Sequence, residues 1–138
     1  MGQSPHNFPE TFLSLNKSNK IKIPFVQGKF NMGSTGVLQF CSKEHNLQLI
    51  VSRMASHNQA TQDEELWGFT IVKREKPFGN MKSSSYKYLA PFGKILSFKS
   101  SGLPILPDGQ KTYSKKLDFG SYVKLYEYNI GPGLRTNI

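Results

Sequence analysis

From Leu47 onwards the chain carries several short runs with the pattern of β-strands, and no helical period separates them. The plainest lies over Phe119–Asn129, where Phe119, Ser121, Val123 and Leu125 alternate with Tyr122, Lys124, Tyr126 and Tyr128. That is the period of a strand with two different faces. Leu47–Arg53 and Leu66–Arg74 read as two further strands, Lys94–Lys99 as another and Ser85–Leu89 as an extended piece. Strands that follow one another without long crossovers pair antiparallel. Upstream, Phe8, Phe12, Leu13 and Leu15 fall at a helical period, with Asn7 as cap and Pro9 in the first turn, which predicts a helix ending near Asn16. Val37, Leu38, Phe40 and Cys41 predict a short buried helix between Ser34 and Cys41, opening directly after glycines. The expected fold is therefore α+β, a mostly antiparallel sheet with helices on one face, in a single domain spanning residues 1–138.

Ten Phe, six Tyr and one Trp argue that a core exists, although only 37% of residues are apolar. No apolar stretch approaches the length needed to cross a bilayer, so membrane partners and a secretory leader are not expected. The single cysteine, Cys41, excludes an internal disulfide framework, and with His6, His45 and His57 scattered it gives no metal-ligand spacing. A basic protein of a reducing, cytoplasmic compartment is the expectation. Cys41 lacks a basic neighbour in sequence and reads as a buried structural thiol.

Charge is unevenly spread. Residues 1–69 hold six Lys and Arg against five acids, whereas residues 70–138 hold twelve against four. A basic half of this kind suits a polyanionic neighbour, and a nucleic-acid-binding module built on residues 70–138 is one functional reading. Spaced lysines also keep exposed strands soluble, so a merely solvated surface is the other reading. The tyrosines Tyr122, Tyr126 and Tyr128 with Lys124 would stack bases if they share an open face, or simply form a half-exposed sheet face. Trp67-Gly68-Phe69-Thr70-Ile71-Val72 matches the RNA-binding RNP1 string at only three positions, and a core strand accounts for it better.

A second functional reading rests on Gln27-Gly28-Lys29-Phe30-Asn31-Met32-Gly33-Ser34-Thr35-Gly36. Three glycines ahead of a helix let backbone amides approach an anion, Asn31 tolerates a left-handed backbone, Lys29 adds a charge, and Ser34 and Thr35 add hydroxyl donors. Ser34 stands where a Walker A loop needs lysine, and no Gly-x-Gly-x-x-Gly is present. A turn serving only loop geometry is the alternative.

Gly28-Lys29-Phe30-Asn31-Met32-Gly33 resembles the second glycine box of the GHKL ATPases, the superfamily of gyrase B, the heat-shock-ninety chaperones, histidine kinases and MutL. Leu49–Arg53, Trp67–Val72 and Tyr88–Pro91 look like further segments of its bacterial stand-alone ATP-binding members, and Gly120–Leu125 resembles the superfamily's Gly-Thr box, so the resemblance spans nearly the whole chain. It implies a partial Bergerat-type α/β sandwich that binds ATP, with residues 16–36 as lid and phosphate loop. The nucleotide contacts it implies are Gly28, Lys29, Phe30, Asn31, Met32, Gly33, Ser34, Thr35 and Gly36, with Ser121 opening a strand beside the adenine. Asn31 replaces a family glycine, Ser121 replaces threonine, and Gly2-Gln3 resembles only the tail of the first glycine box. The helix with the general-base Glu and the magnesium-binding Asn would precede residue 1. The resemblance thus implies no catalytic residue, no hydrolysis by this chain alone, and Mg2+ binding only with a polypeptide that supplies the missing N-terminal helix.

Overall fold

The computed structural model describes residues 2–14, 37–41, 46–55, 66–80, 82–105 and 116–129. Within them lie seven strands: β1 (Leu47–Arg53), β2 (Trp67–Glu75), β3 (Ser85–Tyr88), β4 (Leu96–Phe98), β5 (Leu103–Pro104), β6 (Lys116–Leu117) and β7 (Gly120–Leu125). Five of them form one sheet in the order β3-β2-β1-β7, with β4 pairing β2 on the same edge as β3, and β5 and β6 form a separate hairpin. Every pairing is antiparallel. The four strand patterns read from the sequence therefore do become neighbours in one sheet. β1 lies at its centre because Leu-Gln-Leu-Ile-Val carries no charge that needs water on either face.

Alternation sorts the sheet into two faces. Gln48, Ile50 and Ser52 of β1 share the first face with Thr70 and Val72 of β2, Val123 and Leu125 of β7 and Tyr86 of β3. The N-terminal segment and the turn ending at Cys41 cover it. Phe8, Leu38, Cys41, Ile50 and Val72 form the buried cluster, with Phe12, Leu13, Tyr86, Ile95 and Leu125 packed around it. Phe8 and Phe12 meet edge to face at 5.3 Å between ring centroids.

Close backbone approach makes this cover possible. A Cβ on Gly68 would press on Pro5 at 3.0 Å, and one on Gly2 would collide with the Arg53 carbonyl. The main-chain N–H of Gln3 then donates to Ser52 Oγ at 2.8 Å, which ties the N-terminal segment to β1. Gly2 is accounted for by this contact, not by a glycine box.

The helices expected on this face are not there, and the α+β expectation is corrected. The described residues contain three short 3-10 turns and no α-helix, so the fold is of the all-β type. At the N-terminus the helix predicted to end near Asn16 is a 3-10 turn, Pro5–Asn7, followed by irregular turns. Pro9 has no N–H with which to bond the Pro5 carbonyl, which instead accepts from Phe8 at 3.3 Å. Thr11 Oγ1 donates to the Asn7 carbonyl at 2.7 Å, occupying a second acceptor of the helical ladder. The second predicted helix is a single turn, Val37–Phe40, which is enough to bury Leu38 and Cys41. A Bergerat-type sandwich needs a layer of long helices, and among the described residues none of seven or more residues is present. The resemblance to the GHKL ATPases is overturned with it. Among the described residues no helix is long and apolar enough to cross a membrane.

Candidate nucleic-acid interface

The second face of the sheet collects side chains from all five of its strands in cross-strand rows. Lys87 of β3 lies opposite Lys73 of β2, and Lys73 opposite Leu47 of β1, where the Tyr126 N–H donates to the Leu47 carbonyl at 3.2 Å. In the next row Leu89 donates its N–H to the Ile71 carbonyl at 2.9 Å, and Ile71 pairs Leu49, which pairs Lys124 of β7. The third row runs Leu96, Phe69, Val51, Tyr122. An aliphatic strip thus crosses the sheet, with lysines and tyrosines at its margins.

One end of the face is closed and the other is open. At the closed end Trp67 is fully buried, and its Nε1–H donates to the Ser100 carbonyl at 3.2 Å. Arg53 Nη1 donates to the same carbonyl at 3.0 Å. Trp67 is therefore a structural anchor, as its core-strand pattern implied, and offers no ring to a ligand. At the open end Ile71 is 36% exposed and Leu89 42%, while Lys73, Lys87 and Lys124 all reach solvent. The Lys124 ammonium lies 5.2 Å from the centroid of the Tyr126 ring.

Like charges directly opposite on a sheet repel, and Lys73 faces Lys87. Glu75 relieves this: its carboxylate meets Lys87 Nζ at 2.9 Å. The hydrogen bond from Lys87, aided by the charges of Lys87 and Lys73, holds the Glu75 carboxyl below the usual carboxylate range. Lys73 and Lys124 form no ion pair at contact distance among the described residues.

Tyr128 does not join the other two tyrosines. β7 ends at Leu125, and Glu127 takes a left-handed conformation at φ 48° that breaks the alternation. Tyr128 packs edge-on against Phe40 at 6.0 Å instead. Ser121 lies on the opposite face, exposed at the β7 edge, where its hydroxyl is 2.8 Å from Ser52 Oγ. It links the edge strand to the network that holds the N-terminal segment. The glycine loop, Gly28 to Gly36, and the expected lid over 16–36 lie outside the described residues. The turn after Gly36 is a single 3-10 turn, which carries little of the helix dipole that the phosphate argument required.

Cys41 is buried, and this pushes its thiol up, against a weaker pull from a backbone hydrogen bond at Tyr126. It is a structural thiol. Lys73 and Lys87 were missed as partners by sequence reasoning. Phe69-x-Ile71-x-Lys73 alternates and could have placed Lys73 on the face of Phe69, but only the register brings Lys87 opposite. Compared with known proteins, the chain matches no family profile, no curated protein sequence and no solved structure.

Proposed function

We propose that the chain binds single-stranded nucleic acid across the second face of its sheet. The observation that carries this reading is the gathering of Lys73, Lys87 and Lys124 around Tyr122, Tyr126 and the Leu49–Ile71 strip on a face with an open end. Phosphates would meet the lysines, and bases would stack on the tyrosine rings or lie on the aliphatic strip. Lys73 and Lys124 stand two strands apart and one row offset, so their Cα atoms are separated by roughly 12 Å from strand spacing and rise. That is a short track, suited to a few nucleotides. A duplex hides its base faces, so the tyrosines favour unpaired strands.

Fluorescence anisotropy with a twelve-nucleotide single strand, titrated at several salt concentrations, tests the reading. Three phosphate contacts on a single strand give a slope of log K against log salt near −2 (about −0.7 per contact). Lys124→Ala reduces that slope by about 0.7, and Tyr122→Ala weakens binding by roughly 1–3 kcal/mol. A duplex bound as tightly as the single strand, or affinity unchanged in both variants, refutes the assignment.

A further inference from the structure

On the other side of the molecule a cleft of 510 Å³ opens between the N-terminal turn and the β3–β4 connection. This volume is in the range of small-ligand sites. Its position follows from the fold: Tyr88 and Ser97 lie on the first face at the edge where both β3 and β4 pair β2, and Pro5, His6 and Pro9 of the N-terminal segment line the same cleft. Pro5, Pro9 and Ile95 give the cleft apolar walls, and the Tyr88 side chain adds an aromatic surface.

The polar groups of the cleft share one character. His6, Tyr88, Lys94 and Ser97 all carry donor groups, and none of these four side chains makes a hydrogen bond or ion pair with the described residues. Among the described residues no carboxylate lines the cleft. A cationic ammonium beside rigid apolar walls, with hydroxyl and imidazole donors around it, complements a ligand with an apolar body and one cluster of anionic oxygens. A neutral ligand would leave the Lys94 charge unmatched, and a cation would be repelled.

We propose that this cleft is a binding site for a small planar aromatic anion, a carboxylate or a phosphate monoester, seated against the prolines and Tyr88 with its oxygens at Lys94. The site is separate from the proposed nucleic-acid face and does not depend on it. The probes are 2-naphthoate and 2-naphthyl phosphate, with neutral 2-naphthamide as control, followed by amide chemical shifts of the full chain in solution. Both anions are expected to shift the amides of 6–8 and 93–97, and the tighter of the two tells carboxylate from phosphate. Naphthamide binds at least fivefold more weakly, and Lys94→Ala, at an exposed position, loses at least fivefold in affinity for the anions while His6→Ala loses less. Equal binding of naphthamide overturns the proposal. So do shifts confined to 47–51 and 69–73, or anion affinity unchanged by Lys94→Ala.

Discussion

Replacing Gln48 by methionine is expected to stabilise the protein. Gln48 sits near the start of the central strand β1 on the covered face, between Val72 of β2 and Leu125 of β7, and is 1% exposed. Among the described residues neither its amide oxygen nor its amide nitrogen has a hydrogen-bond partner. An amide buried in this way forfeits its bonds to water and receives nothing in return, at a cost of about 1–3 kcal/mol. Methionine has nearly the same length and shape, loses similar rotamer entropy on burial, and carries no group that must be hydrated. Gln48→Met is therefore expected to raise the unfolding free energy by about 1–3 kcal/mol. The melting temperature rises by roughly 4 °C per kcal/mol for a domain of this size. Gln48→Ala removes the same amide but leaves a cavity among Ile50, Val72 and Leu125, so its gain is offset by the lost packing. Urea unfolding followed by far-ultraviolet circular dichroism measures both variants. The midpoint should rise for Gln48→Met with an unchanged m-value, since the surface exposed on unfolding is the same. A loss of 1 kcal/mol or more for Gln48→Met refutes the reasoning, because it requires the amide to be satisfied in the folded protein.

Two further outcomes concern titratable groups. The lowered pKa of Glu75 means that its pairing with Lys87 contributes stability above the ordinary glutamate range, about 4.3, and that this is lost as pH falls through the lowered folded value. Glu75→Gln should flatten the acid limb of a melting-temperature profile between pH 6 and 2.5; an unchanged limb would show that the pair adds nothing. The raised pKa of Cys41 keeps its thiol protonated at neutral pH. Labelling by a thiol-reactive disulfide should be at least 100-fold slower in the folded protein than in 6 M urea, and comparable rates would contradict its burial.

Strand positions were legible along the chain because a strand writes itself locally. Alternation at Phe119–Leu125 and the apolar run at Leu47–Val51 are visible without knowing what lies beside them, and both became strands of one sheet. The helices were not legible. Apolar residues at i, i+1, i+3 and i+4, as in Val37, Leu38, Phe40 and Cys41, are satisfied equally by one 3-10 turn, and the pattern is too short to repay helix nucleation. At the N-terminus Pro9 removed a donor that the apolar spacing does not reveal. The sequence by itself thus determined which segments extend and that the second half is basic. Which residues meet was decided by the tertiary structure. Lys73 faces Lys87 and Leu49 faces Lys124 only in the observed register, and a slip of one residue would send each to the opposite face. The same register seals Trp67 under Ser100 and turns Ser121 toward Ser52. Pairing joins positions as far apart in the chain as Gln48 and Leu125, 77 residues, and no local period carries information across that distance.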